Sequence, residues 1–87
     1  MKVNSNYVLK KVADSYIVVA LGGDVVDLNT IISLNETGAF IWKQLENETT
    51  KENIVSAMLE EYDVTAEQAS NDVDAFVQKM TEAGLLA

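Results

Sequence analysis

The segment from Ser33 to Leu45 constrains the fold of this 87-residue chain most. An apolar, extended stretch ends at Leu34, and Asn35, a residue type that favours helix N-caps, follows at once. Ile41 and Leu45 then lie four positions apart, as on the buried side of an amphipathic helix. The segment therefore predicts a direct junction between a small β-sheet and a helical half.

The residues before this junction favour strands and tight turns. Tyr7–Val12 is rich in β-branched and aromatic residues, and 16–21 is a short continuous apolar run, so both predict strands. Ala13-Asp14-Ser15 predicts the turn between them, and Gly22-Gly23-Asp24 predicts a second turn. Residues 25–34 then predict a third extended segment that reaches the junction.

The residues after the junction predict three helices. The second begins at Thr49 and runs to about Glu61, and the third runs from Thr65 to about Ala83. Each begins with Thr followed three positions later by Glu or Gln, which is the pattern of a capping box. Gly84 predicts the end of the third helix, because glycine adopts the left-handed conformation found there. We expect Leu85 and Leu86 to fold back onto the core, together with the helical residues Phe40, Ile41, Trp42, Leu45, Ile54, Met58, Leu59, Tyr62, Ala66, Ala69, Val73, Phe76, Val77 and Met80.

Three strands followed by three helices, with short connections, predict one α+β domain over residues 1–87. The last two helices are separated by Tyr62-Asp63-Val64, which is short enough for a helix-turn-helix arrangement. The expected architecture is therefore winged-helix-like, with a three-stranded antiparallel sheet followed by three helices.

The composition offers little for catalysis. The sequence contains no Cys, His, Arg or Pro, so disulfides, thiolate or imidazole metal sites and a histidine general base are excluded. We nominate no catalytic residue, metal ligand or cofactor. No apolar run is long enough to cross a bilayer and the N-terminus has no signal-peptide pattern, so we expect a cytoplasmic protein with no membrane partner.

The net charge of −8 is carried by the second part of the chain. Residues 1–34 hold three lysines and three acids, whereas residues 35–87 hold eleven acids and three lysines, and 3 − 11 = −8. Solvated acidic helix faces are the simplest explanation. An acidic surface repels phosphate backbones, and a winged-helix DNA-binding regulator would need basic residues on its recognition helix, so nucleic acid is not expected as a partner.

One pattern runs through most of the chain. Its residues are Leu34-Asn35-Glu36-Thr37-Gly38-Ala39, Ile41-Trp42, Leu45, Ile54, Leu59, Tyr62-Asp63-Val64, Asp72-Val73, Phe76 and Gly84-Leu85-Leu86. In these residues the sequence resembles the PqqD family, the small proteins of pyrroloquinoline-quinone biosynthesis, and the related peptide-recognition elements of pathways that modify ribosomally made peptides. The resemblance covers about residues 7–86.

The resemblance implies a non-catalytic binding module, or peptide chaperone. Such proteins hold the leader segment of a precursor peptide and present it to a modifying enzyme, often a radical-SAM enzyme. The leader adds as a strand to the edge of the sheet and lies against the third helix, a mode in which backbone hydrogen bonds provide affinity and alternate side chains provide specificity.

We expect the peptide-binding site at an unblocked strand edge and on one shoulder of the third helix. The edge carries no charge or proline that would discourage pairing. The expected residues are Thr30, Ile31, Ile32, Ser33, Asp72, Phe76 and Lys79. Three alternatives remain: the strand is internal, Phe76 is only a core residue, or the opposite shoulder with Ser70, Asp74 and Thr81 lines the groove.

Other functions find weaker support in the residues. An acidic carrier protein needs an attachment serine at a helix start, and the nearest match, Asp14-Ser15-Tyr16, lies between two predicted strands. An enzyme could use the neighbouring acids Glu60-Glu61-Asp63 or Asp72 and Asp74, but such acids on helices are usually only solvated. An open edge could also pair with a second copy, so a homodimer is a further expectation.

Overall fold

A computed structural model describes residues 1–20 and 32–86. Three strands precede three helices, which confirms the α+β prediction and its order of elements. They are β1 (Tyr7–Val12), β2 (Ser15–Ala20), β3 (Ile32–Leu34), α1 (Glu36–Leu45), α2 (Lys51–Glu61) and α3 (Ala66–Glu82). The expected turn at Gly22-Gly23-Asp24 and the extended residues 25–31 lie outside the described residues.

A two-residue loop joins β1 to β2. The two strands pair antiparallel along their full length, from Val12 opposite Ser15 at the loop to Tyr7 opposite Ala20 at the far end. Ala13 in the loop has a φ of 54°, in the region that favours glycine. The tight hairpin therefore forms at a conformational cost that falls on Ala13.

β2 is the central strand of the sheet, and β1 and β3 pair with its two sides. β3 pairs antiparallel with β2, with Leu34 opposite Tyr16 and Ile32 opposite Val18. Among the described strands, β3 is thus an outer strand and not an internal one. Its position places one edge of the sheet next to the start of α1.

Three side chains cap the helices. Asn35 accepts from the Gly38 amide at 2.7 Å and begins α1, and Thr65 accepts from the Gln68 amide at 3.1 Å and begins α3, as the sequence predicts. The prediction of Thr49 for α2 is wrong by one residue, because Thr50 accepts from the Asn53 amide. Gly84 follows α3 with a φ of 76°, which confirms its predicted role.

The core lies between the sheet and the three helices. Among its fully buried side chains are Val18, Ile41, Trp42, Leu45, Ile54, Met58, Val73, Met80 and Leu85. Two residues expected there are exposed. Leu59 is 42% exposed because Ile54 and Met58, four residues apart, point inward and the next residue is rotated about 100° away from them. Ala66 is exposed because it is the first residue of α3, one turn before Ala69, where the helix becomes buried.

The N-terminal segment covers the core at the C-terminal ends of α1 and α3. The sequence did not predict this arrangement. The Val3 amide donates to the Leu45 carbonyl at 2.8 Å, and the Asn4 amide donates to the Leu85 carbonyl at 2.7 Å. Val3 and Leu86 also form an antiparallel bridge. Leu85 folds back onto the core as expected and is only 2% exposed.

Candidate functional site

A groove of about 370 Å³ lies between the end of β3, the first turns of α1 and one side of α3. Its lining residues are Ser33, Leu34, Asn35, Thr37, Gly38, Ile41, Asp72, Ala75, Phe76 and Lys79. Four of the seven residues nominated from the sequence line it. The strand-to-helix junction and the third helix therefore meet at one concave surface.

The strand register determines which backbone groups of β3 face this groove. A two-residue loop closes on a pair of residues joined by backbone hydrogen bonds, here Val12 and Ser15. Hydrogen-bonded and non-hydrogen-bonded pairs alternate along the two strands from there, so the backbone of Ile17 bonds to β1. The neighbouring residues of β2, Tyr16 and Val18, then bond to Leu34 and Ile32. It follows that Ser33 directs its amide and its carbonyl away from β2.

Ser33 is the described residue of β3 whose backbone groups point away from β2. Within residues 1–20 and 32–86, no backbone hydrogen bond outside the strands and helices uses its amide or its carbonyl. Its side chain points to the face of the sheet away from the helices, because its neighbour Leu34 is buried toward them. The edge thus offers one donor and one acceptor, and it offers no charged side chain.

One side of α3 forms the opposite wall. Asp72, Phe76 and Lys79 follow one another at spacings of four and three residues, so they share one face of the helix. Phe76 is 8% exposed, Asp72 is half-buried and Lys79 is exposed. Neither Asp72 nor Lys79 forms an ion pair with another described residue. The wall therefore has an apolar centre with an acid on one side and a base on the other.

Gly38 lies at the base of the groove, beside Phe76 of α3 and Leu34 of β3. A Cβ atom at this position would lie 3.4 Å from Phe76 Cε2 and 3.5 Å from Leu34 Cβ, which are ordinary van der Waals contacts. It would also lie 3.1 Å from the Asn35 oxygen that caps α1, which is tight, so a side chain here would disturb the cap. Glycine at this position of the Leu-Asn-Glu-Thr-Gly-Ala segment is the sequence signal that could have identified Gly38 as a site residue.

The opposite shoulder of α3 is engaged elsewhere. Asp74 forms an ion pair with Lys51 of α2 at 2.9 Å, and the Thr81 hydroxyl donates to the Val77 carbonyl. Neither residue lines the groove, and Ser70 does not line it either. The geometry thus brings the Asp72 and Lys79 shoulder to β3. Ile32 packs against the core beside the groove, and Thr30 and Ile31 lie outside the described residues.

A separate cluster of aromatic and basic residues lies where β2 meets α1 and α2. The Tyr16 ring has the ammonium groups of Lys11 and Lys43 each 5.8 Å from its centroid. Phe40 and Tyr62 pack edge to face with centroids 5.3 Å apart. Burial raises the pKa of Tyr62 above its ordinary value, and the nearby carboxylates of Glu36 and Glu61 and the phenol of Tyr16 raise it further. None of these side chains lines the groove.

The family model for coenzyme PQQ synthesis protein D matches residues 16–86 of the chain. The chain belongs to the PqqD family. The match covers the central strand, the β3 edge and all three helices, so it includes every wall of the groove. It confirms the resemblance found in the Leu34–Ala39 segment. No curated protein matches the chain.

Two solved structures resemble the fold over nearly its whole length. The first is TbiB1 in complex with the TbiA(beta) leader peptide, which is 27% identical with a TM-score of 0.78 and covers 99% of this chain and 94% of that one. The second is lasso peptide synthetase B1 complexed with the leader peptide, at 19% identity and a TM-score of 0.75, with 97% and 93% covered. The second likeness concerns the fold alone. Both neighbours were solved with a leader peptide bound.

Two features that would indicate other functions are absent from the described parts of the chain. No helix within residues 1–20 and 32–86 is long and apolar enough to span a membrane. Over the same residues, no three carboxylates come together as candidate metal ligands.

Proposed function

We propose that this PqqD-family domain binds the leader segment of a ribosomally made precursor peptide by strand addition to β3. The leader lies in the groove between β3 and α3, with Ser33 of the edge and Asp72, Phe76 and Lys79 of the helix in contact with it. Thr30, Ile31 and Ile32 complete the proposed edge.

The observation that carries this proposal is the direction of the Ser33 backbone. Its amide and carbonyl point outward at an edge that directly adjoins a groove, which is the arrangement that strand addition needs. The family match and the leader-bound TbiB1 structure, which is 27% identical, support the same function. A sheet edge without such a groove would give pairing but little sequence selectivity.

Backbone pairing alone is too weak for useful binding. Each hydrogen bond at the edge contributes about 1 kcal/mol net, whereas ordering a flexible segment costs about 2–5 kcal/mol. A buried apolar side chain adds about 1.5–3 kcal/mol. Phe76 offers the apolar surface for such an anchor, so side chains that enter the groove must decide whether a peptide is retained.

In this proposal the domain is an adaptor without catalytic activity of its own. It presents the bound precursor to a peptide-modifying enzyme, such as a radical-SAM enzyme, and acts in the cytoplasm, where precursors are made. The groove supports holding more readily than chemistry, because Asp72 and Lys79 are the only ionisable residues among its described lining and Phe76 separates them along the helix.

An NMR titration of the ¹⁵N-labelled domain tests the proposal. The probe is a synthetic peptide that spans the leader of a precursor encoded next to this chain. We expect the largest shifts at the Ser33 amide and along α3 from Asp72 to Lys79. The Ser33 amide should also become protected from hydrogen exchange, because it gains a hydrogen-bond acceptor.

A scrambled peptide of the same composition is the control. Shifts confined to α2, or identical shifts with the scrambled peptide, contradict the proposed site. Analytical ultracentrifugation of the free domain addresses the homodimer, which would use the same edge. If a dimer forms through β3, the leader must compete with it, and the dimer should dissociate as peptide is added.

A further inference from the structure

The groove also determines which leader residues are selected. We propose that it selects an apolar residue flanked at the second position on each side by charged residues of opposite sign, a cation facing Asp72 and an anion facing Lys79. This inference rests on the proposed function and specifies its ligand class.

The strand register determines which peptide side chains face the helix. In antiparallel addition the peptide residue opposite Ser33 would exchange two hydrogen bonds with it, and in either direction the side chains of directly opposite residues lie on the same face of the sheet. Ser33 points away from the helices, so the side chain opposite it does the same. The side chains of the peptide residues opposite Leu34 and Ile32 therefore point toward α3, and so does the side chain of every second peptide residue beyond them.

The position of Phe76 locates the apolar anchor. Phe76 and Leu34 both lie beside Gly38, because a Cβ on Gly38 would be 3.4 Å from Phe76 Cε2 and 3.5 Å from Leu34 Cβ. A peptide side chain opposite Leu34 would therefore lie beside Phe76. Both residues line the groove, so an aliphatic or aromatic side chain would meet apolar surface there.

The spacing on α3 matches that of an extended peptide. With a rise of about 1.5 Å per residue, Asp72 lies about 6 Å before Phe76 along the helix, and Lys79 lies about 4.5 Å after it. Peptide side chains that share a face are about 6.8 Å apart. The flexible lysine side chain covers the remaining difference between the spacing on the helix and the spacing on the peptide. The peptide side chains two positions before and after the anchor, which share its face, therefore reach Asp72 and Lys79.

The charges favour this pattern over an entirely apolar one. Asp72 and Lys79 have no ion-pair partner among the described residues, and Asp72 is already half-buried. A leader with apolar residues on both sides of the anchor would cover these charges without pairing them, which is unfavourable. A leader with matching charges pairs both. We expect each partly exposed pair to improve affinity by about 2- to 5-fold.

Selection from a yeast-displayed library of randomised peptides tests this inference. Wild-type protein should enrich peptides with an apolar residue, a cation two positions to one side and an anion two positions to the other. The Asp72→Lys variant should replace the selected cation with an anion, and Lys79→Glu should replace the selected anion with a cation. Their order along the peptide reports the direction in which the leader runs.

The Asp74→Lys variant is the matched control, because it makes the same change in net charge on the same helix but outside the groove. It should enrich the wild-type pattern. Enrichment of an apolar anchor with no charge preference, or unchanged preferences in both groove variants, overturns the charge inference and leaves leader binding intact. If no peptide is enriched, or if Phe76→Ala enriches the same peptides as wild type, the proposed function itself fails.

Discussion

The two outer strands of the sheet differ in how they discourage pairing. β1 carries the exposed Lys10 and Lys11 in its second half, and such charges are a common means of keeping other strands away from an edge. β3 has the sequence Ile-Ser-Leu and no charge. Over the described residues, the sheet therefore has a protected edge at β1 and an uncharged, open edge at β3, and the groove with α3 lies beside β3.

The cavities beside the two edges do not repeat this difference. The cavity beside β1, about 380 Å³ in volume, is lined by the charged residues Lys2 and Glu46 and by apolar residues that include Leu9 and Trp42. The groove beside β3 is of similar volume and also combines two charges with an apolar residue, Phe76. Cavity size alone would not distinguish them. The difference in edge chemistry is what assigns the peptide to β3.

Proline substitution at the two edges should give the largest contrast. Ser33→Pro removes the outward amide of β3, which does not bond to β2, and places a ring where the peptide backbone would lie. We expect leader affinity to fall about 10- to 100-fold, because a hydrogen bond is lost and a peptide carbonyl is left unpaired. Isothermal titration calorimetry measures the change.

Lys11→Pro is the matched variant, since the Lys11 amide also points away from β2. It should leave leader affinity within about twofold of wild type. Ser33→Ala should do so too, because its side chain faces away from the groove. Equal losses in Ser33→Pro and Lys11→Pro, with both proteins folded by circular dichroism, would mean that the open edge is not the binding edge.

Truncation of the aromatic side chain beside each edge should give the next largest contrast. Phe76→Ala removes the apolar centre of the groove, and we expect a loss of leader affinity of about 10-fold. Because Phe76 is 8% exposed, the variant should also lose about 2–4 kcal/mol of unfolding free energy. Tyr7→Ala beside β1 should leave affinity unchanged. Urea unfolding and calorimetry separate the two effects.

Much of this arrangement could be predicted from the sequence. Strong local signals located the hairpin strands, the Asn35 and Thr65 caps and the Asp72, Phe76 and Lys79 face, because each depends on neighbours within a few residues. The helix face at Leu59 was misjudged since adjacent apolar residues do not reveal which of them points inward.

Features that depend on distant parts of the chain were not predictable in this way. The pairing of Val3 with Leu86 joins the two ends of the sequence, and no local pattern indicates it. The outward direction of the Ser33 backbone depends on the register of β2 with both neighbouring strands. The Ala13-Asp14 loop sets that register where it closes at Ser15, 18 residues before Ser33. Gly38 was noticed only as part of a motif, because its role appears when Phe76 packs beside it.

Removal of the lysines from β1 should weaken the difference between the edges. In the double variant Lys10→Thr and Lys11→Thr, β1 loses its charges and gains residues that favour strands. We expect weak, concentration-dependent self-association measured by sedimentation velocity, while leader affinity stays close to that of wild type. The variant Lys43→Thr with Lys51→Thr makes the same change in net charge on α1 and α2, away from β1, and should remain as monomeric as wild type.

Relief of strain in the hairpin should give the smallest effect and should act on stability alone. Ala13 is the only described non-glycine residue with positive φ, and that conformation costs about 1–2 kcal/mol without glycine. Glycine at this position would remove that cost, but glycine loses more entropy on folding, which offsets part of the gain. Ala13→Gly should therefore stabilise the fold by about 0.5–1 kcal/mol. Ala57→Gly, within α2, should destabilise it by about 1 kcal/mol. The temperature of thermal unfolding should therefore rise in Ala13→Gly and fall in Ala57→Gly. Leader affinity should stay the same in both variants, because β1 and β3 contact different sides of β2. A change in affinity in Ala13→Gly would show that the two edges are coupled through β2.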